Sequence, residues 1–200
     1  LDGYRNAPLL KQTLTRIEEL KNMSAVQKES FTIIADRISE WRYEMDHLPA
    51  ISPVDPSFKL GDGLRFRDVH PVLGTGRMHY GQDFSVPYGT NVYATGNGTV
   101  IKSDWNSGGL GNCIVIDHGY GIHSIYGHLS NIKVTTGMNI KRGDLIGLSG
   151  STGISSGPHL HYQIELNGTH QNPLDFFNDD LNREDYFKMI TQLSSRSKFR

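Results

Sequence analysis

"PHLHYQIELNGTHQNP", residues 158–173, alternates for nine residues and then breaks at a turn. Successive side chains of an extended chain point to opposite faces. Leu160, Tyr162, Ile164 and Leu166 therefore share one face, and His159, His161, Gln163 and Glu165 share the other. The apolar face is core; the polar face is where a site can stand. Similar β-rich runs appear upstream in "NVYATGNGTVIKSDW" (91–105), "NCIVIDHGYGIHSIYGHL" (112–129) and "NIKVTTGMNIKRGDLIGLSGSTG" (131–153). Runs this short, closely spaced and separated by "GNG", "HGYG" and "NGT", leave no room for crossover helices and imply an antiparallel all-β sandwich or barrel.

The β pattern does not extend to the start of the chain. Residues 9–48 contain no glycine, whereas the 152 residues after them contain 21 of the 22 glycines. Phe31, Ile34, Ile38, Trp41, Met45 and Leu48 recur at alternating spacings of three and four, a heptad stripe that predicts a helix with a packing or coiled-coil face. Upstream the stripe meets Ile17 and Leu20 but also Ser24 and Gln27, so one long helix and two helices broken near "NMSA" both fit. Uninterrupted, residues 11–48 would span roughly 57 Å. "LPAISPVDPS" (48–57), with three prolines, reads as a linker. Near the other end, "NREDYFKMITQL" reads as a short helix capped by Asn182, followed by a basic tail. The expected organisation is a helical region over 1–50, a linker over 51–59, a β domain over 60–177, and a C-terminal helix and tail over 178–200.

Twenty basic against 21 acidic residues give a formal net charge of -1, which provides no global field for nucleic acid or an anionic membrane. Cys113 is the only cysteine, so one chain forms no internal disulfide and no thiolate metal cluster; in its strand it reads as a small buried residue. No run of about 18 apolar residues appears. The chain opens "LDGYRNAPLL" without a signal-peptide pattern, which leaves an upstream signal or membrane anchor open.

Chemistry concentrates in the histidines. His159 and His161, at i and i+2, point into one volume. In "RMHYGQDFSVP" (77–87) His79 and Asp83 lie four apart in a segment that Gly81 and Pro87 make extended or bent, so they too share a face. Imidazole nitrogen and carboxylate oxygen are good zinc ligands, and three protein ligands with one open position is a catalytic arrangement. His128 in "IYGHLS" follows a Tyr-Gly turn after a strand.

Together these stretches resemble the lysostaphin-type, or LytM-like, zinc endopeptidases of bacterial cell walls. "HYGQDF" matches the family's H-x-G-x-D-F segment, "YGHL" its aromatic-x-H-L segment, and "GSTGISSGPHLHYQI" its G-x-T-G-x-S-x-G-P-H-L-H-aromatic segment, in the family's order. "VPYGTNVYATGNGTV", "GLGNCIVIDHG" and "IKRGDLIGLSG" fit as well, and the likeness covers roughly residues 60–177. The resemblance implies a two-layer antiparallel β domain with a narrow groove over one Zn2+ per chain. His79, Asp83 and His161 would be its ligands, with a water completing the tetrahedron. His128 and His159 would be the non-ligand catalytic histidines, His128 as preferred base and His159 as partner or oxyanion stabiliser, roles the sequence does not separate. The implied activity is hydrolysis of amide bonds in peptidoglycan stem peptides or cross-bridges, in the periplasm or the extracellular envelope.

The other features carry blander expectations. His118 and His123 read as structural hydrogen-bonding residues, and His47, His70 and His170 as surface or satisfied polar groups. Tyr80, Tyr88 and Tyr126 read as packing residues, and Asn112 in "GLGN" as a substrate-facing polar residue. "GSTGISSGPH" lacks the lysine and the following helix of a phosphate loop. Two rival functions remain. One is a lipoyl-like carrier, against which the missing hairpin-tip lysine counts. The other is a non-catalytic or autoinhibited regulator of wall hydrolases acting through residues 9–48, which could equally self-associate or bind a protein partner. The presence of all five histidine and aspartate residues favours an enzyme.

Overall fold

A computed structural model describes residues 6–69 and 71–177. The chain divides between Glu44 and Met45 into two units. The first is formed by α1 (Ala7–His47), one unbroken helix of 41 residues, which decides between the one-helix and two-helix readings. Past Pro8, at its very start, it contains neither proline nor glycine, and Thr13, Thr15, Ser30, Thr32 and Ser39 turn their hydroxyls onto carbonyls four residues back. The stripe expected to pack is open to solvent in the single chain: Phe31, Ile34 and Ile38 are 63%, 52% and 51% exposed. No residue of α1 is buried.

The last turn of α1 belongs to the second unit and ends in hydrogen bonds. The Arg142 guanidinium donates to the carbonyls of Met45 and Leu48, and the Asn97 N–H donates to Asp46 O at 2.8 Å. These carbonyls are the acceptors a helix C-terminus leaves unpaired. Beyond them the structure departs from the expected linker. Leu48, Ala50 and Val54 lie in the hydrophobic core, Val54 only 2% exposed, and Pro53 O accepts from Tyr93 N–H at 2.8 Å. The prolines keep this segment extended while its apolar side chains drop into the core, so a composition typical of a linker is here a structural strap.

Among the described residues thirteen short strands follow: β1 (Lys59–Leu60), β2 (Arg65–Arg67), β3 (Arg77–His79), β4 (Gln82–Ser85), β5 (Asn91–Tyr93), β6 (Gly98–Asn106), β7 (Gly111–Asp117), β8 (Ile122–Gly127), β9 (Asn131–Ile132), β10 (Asn139–Ile140), β11 (Leu145–Leu148), β12 (Leu160–Leu166) and β13 (Thr169–Gln171). The main sheet runs β1-β4-β12-β8-β7-β6-β10, with β13 on β12; β5-β11-β9 form a second sheet and β2-β3 a hairpin. Every pairing is antiparallel, as the sequence implied. Val92 and Ile146 of the smaller sheet join Ile114, Ile116, Tyr126, Leu160, Tyr162 and Ile164 of the larger in one core. Each fully buried side chain of this kind contributes about 1.5–3 kcal/mol. The short helix expected from Asn182 lies outside the described residues.

A chain of polar groups crosses this core. His118 donates from Nδ1 to Asn97 O at 2.7 Å, and its Nε2 lies 2.7 Å from Ser124 Oγ. Ser124 Oγ is 3.1 Å from Tyr126 Oη, which takes the Thr95 N–H at 3.0 Å; Thr95 Oγ1 is 2.8 Å from Tyr162 Oη. Each buried hydroxyl thus has a partner, and each would be costly without one.

Candidate metal centre and its cleft

β12 places the site because it is the strand between β4 and β8. Its register sets His161 opposite both Asp83 and Gly127. His79 closes β3, and Asp83 is the second residue of β4. Gly81, between them, is required by a close approach: a Cβ there would lie 2.2 Å from Tyr162 O. The sequence reading gave Gly81 a bend; its role in the fold is to let β4 pass against β12.

Three donor atoms converge. His79 Nε2 is 3.0 Å from Asp83 Oδ1, His161 Nδ1 is 2.8 Å from the same oxygen, and the two nitrogens are 2.9 Å apart. The outer ring atoms are occupied. His79 Nδ1–H donates to Gly63 O at 2.7 Å, which leaves the Nε2 lone pair facing inward. His161 Nε2 lies 2.8 Å from the Gln163 amide nitrogen; a half-turn of that amide puts its oxygen there instead, where it accepts Nε2–H and bares Nδ1 for a metal. Two imidazole lone pairs and a carboxylate oxygen facing one another need a cation between them, and this donor set suits zinc. Among the described residues it is the one group of His, Cys, Asp and Glu close enough to hold a metal. Burial works to raise the Asp83 pKa, but the His161 and His79 rings beside its oxygen outweigh it and hold the carboxyl well below the usual carboxylate range. Burial lowers the His161 pKa, and the adjoining Asp83 carboxylate opposes that shift.

The second oxygen of Asp83 has its own partner, which the sequence reading missed. Arg67, with a side chain only 12% exposed, donates from Nη2 to Asp83 Oδ2 at 2.7 Å, and its Nε lies 2.8 Å from Asp62 Oδ2. Asp62 also pairs with Arg65 at 2.6 Å. Arg67 thereby turns Oδ1 toward the two imidazoles, the orienting role outer groups play around metal ligands.

His128 follows β8 with a left-handed backbone, φ 60, uncommon for a residue with a side chain. That turn sends its N–H to Leu110 O at 2.7 Å and its Nδ1–H to Thr152 O at 2.7 Å, so Nε2 is the free ring nitrogen. Burial pushes its pKa down to about 4, against the opposing bond to Thr152. His159 precedes β12 in a single bridge to Gly150; its Nδ1–H donates to Gly157 O at 2.8 Å, and its Nε2 stands 3.8 Å from Asp83 Oδ1. The rings of His128 and His159 are 4.6 Å apart, and those of His128 and His161 5.7 Å.

All five residues singled out in the sequence line one cleft of about 640 Å³. Arg67, Arg77, Tyr80 and His170 line it too. His170, expected to be a surface or satisfied polar group, sets its ring 4.4 Å from that of Tyr80, tilted by 30°; β13 brings it there by pairing with β12. Asn112 does not line the cleft, and its backbone N–H binds Thr152 Oγ1 at 3.0 Å. Cys113 and Tyr126 are buried as expected, His118 is a structural hydrogen-bonding residue, and His123 lies 3.6 Å from Asp117. His70 lies outside the described residues.

The family model of Peptidase family M23 matches residues 77–173. An uncharacterized metalloprotease of Haemophilus influenzae is 49% identical over 105 residues, which are 52% of this chain and 22% of that protein. Peptidoglycan DD-endopeptidase ShyA of Vibrio cholerae is 42% identical over 116 residues, 58% of this chain and 27% of that protein. Among solved structures, the catalytic domain of the antimicrobial peptidase lysostaphin from Staphylococcus simulans is similar with a TM-score of 0.53 and 38% identity, over 60% of this chain and 91% of that one. The chain spans about a quarter of the length of the two curated relatives.

Proposed function

The chain belongs to peptidase family M23, and on that premise we propose that it hydrolyses amide bonds in the stem peptides or cross-bridges of peptidoglycan, with one zinc ion held by His79, Asp83 and His161. The observation that carries this reading is the meeting of His79 Nε2, Asp83 Oδ1 and His161 Nδ1 within 3.0 Å of one another, flanked by His128 and His159. When bound, zinc supplies a Lewis acid that polarises a carbonyl and makes water acidic enough to attack near neutral pH. Asp83 offsets part of the metal's charge. His128, neutral at pH 7 and with Nδ1–H fixed on Thr152 O, presents Nε2 to take the proton of the attacking water and return it to the leaving amine nitrogen. His159, whose Nδ1–H is fixed on Gly157 O, turns Nε2 toward the site as the partner of His128 or the stabiliser of the developing oxyanion.

A polymer of flexible peptides suits an open cleft, and such a substrate places the protein in the cell envelope or outside the cell. No helix among the described residues is long and apolar enough to cross a membrane. The test is mass spectrometry of purified peptidoglycan after incubation with zinc-loaded protein and with a chelated control. New peptide termini that appear only with zinc support the reading; intact peptidoglycan beside stoichiometric zinc overturns it.

A further inference from the structure

The β2–β3 hairpin sets two cations against each other. Its register pairs Arg65 with His79, Phe66 with Met78, and Arg67 with Arg77. Residues directly opposite share a face, and alternation puts Arg77 on the face of β3 that carries His79. Like charges directly opposite destabilise a sheet unless something offsets them. Arg67 has its offset in Asp62 and Asp83. Arg77 has none among the described residues. Its one hydrogen bond runs from Nη2 across the cleft to Gly108 O, a neutral acceptor at 3.3 Å. A guanidinium offers five N–H donors, so this one bond leaves most of the fork unused. The side chain is exposed and lines the cleft. Two strand residues span about 7 Å, so Arg77 stands about two residues of an extended peptide from His79.

We propose that Arg77 is a specificity-determining residue that binds a free carboxylate of the substrate within about two residues of the scissile amide. The planar fork matches a carboxylate with two parallel hydrogen bonds, and the anion supplies the charge that Asp62 and Asp83 supply to Arg67. The proposal rests on the peptidoglycan reading and narrows it. An uncharged glycyl bridge leaves Arg77 without a counterion. A cross-link made through the amine of a residue that keeps its own α-carboxylate presents one at the required distance.

The experiment uses two synthetic cross-linked stem peptides, identical except that the carboxylate beside the scissile amide is free in one and amidated in the other. Zinc-loaded wild type and Arg77→Gln are compared by kcat/KM and by calorimetric binding of both peptides. Wild type is expected to favour the free carboxylate by about tenfold or more, and the ratio is expected to fall to near one in Arg77→Gln at unchanged zinc content. If Arg77 only ties the two walls of the cleft, the variant loses on both peptides equally and the ratio stays, which overturns the proposal. Hydrolysis of neither peptide by wild type counts against the endopeptidase reading. In that case a wild-type binding preference that Arg77→Gln abolishes still supports the carboxylate site, and equal binding of the two peptides refutes it.

Discussion

Replacing His118 removes a built-in acid sensitivity from the core. The imidazole is 1% exposed, donates from Nδ1 to Asn97 O and holds Nε2 at 2.7 Å from Ser124 Oγ. Burial pushes its pKa from 6.5 down to about 4, against the opposing bond to Asn97 and the charge of Asp117. An unfolded chain takes up this proton near the ordinary histidine value; the folded chain refuses it until about pH 4. The linked stability is therefore fully present above about pH 6.5 and is lost as pH falls toward 4. The gap between 6.5 and about 4, at 1.36 kcal/mol per pH unit, amounts to about 3 kcal/mol. His118→Gln keeps an N–H for Asn97 and an oxygen for Ser124 but cannot titrate. Guanidinium unfolding of both proteins, with chelator present throughout, is expected to show wild type losing about 3 kcal/mol more than the variant between about pH 7 and about pH 4. Parallel losses across that window would refute the buried neutral imidazole.

His161→Ala is expected to lose both zinc and hydrolysis, whereas His128→Ala keeps zinc and loses hydrolysis; metal analysis beside a peptidoglycan assay separates the two, and loss of metal in the second variant reverses the assignment. Arg67→Met should weaken zinc binding by about 10- to 100-fold in a chelator competition while the circular dichroism spectrum holds, because Asp83 loses the partner that aims it. Zinc should dissociate on acidification with a midpoint below the ordinary histidine value of about 6.5, since protons compete for the ligand nitrogens and burial lowers the His161 pKa. Equilibrium dialysis across pH reads this, and release above that value contradicts it. Gly81→Ala should destabilise the domain by about 3 kcal/mol in denaturant unfolding, because the added methyl meets a backbone oxygen that no rotamer change can move; a loss under about 0.5 kcal/mol would show that β4 and β12 can part cheaply.

Period-two patterning identified β12 correctly, because a strand with core on one side and a cleft on the other writes its burial into alternation. Leu160, Tyr162, Ile164 and Leu166 are all buried, and His161 and Gln163 face the site. The five histidine and aspartate residues could be singled out because their short motifs together resemble one family, and the fold brings all five to one cleft. Arg67 was not legible, because it reaches Asp83 across 16 residues from a segment without periodicity, and only the fold reveals the pair. Thr152 escaped for the same reason: its carbonyl holds His128 and its hydroxyl bonds Leu129 O, contacts made 24 and 23 residues away in a Gly- and Ser-rich stretch. The strap at residues 48–57 misled in the opposite sense, since proline density signals an extended backbone and says nothing about where its apolar side chains go. In α1 the heptad stripe correctly announced a helix, but a pattern in one chain does not supply the surface that would cover it.

The missing side chain at position 81 acts as a register key. A slip of β4 along β12 by one residue would bring the Cβ of Tyr80 or Gln82 to the spot beside Tyr162 O where even a methyl does not fit. The same slip would turn Asp83 to the far face and part it from His161. Pairings that would scatter the donor atoms thus meet a backbone clash that needs no metal to enforce it. The register that joins the donor atoms is the register in which these two strands pair.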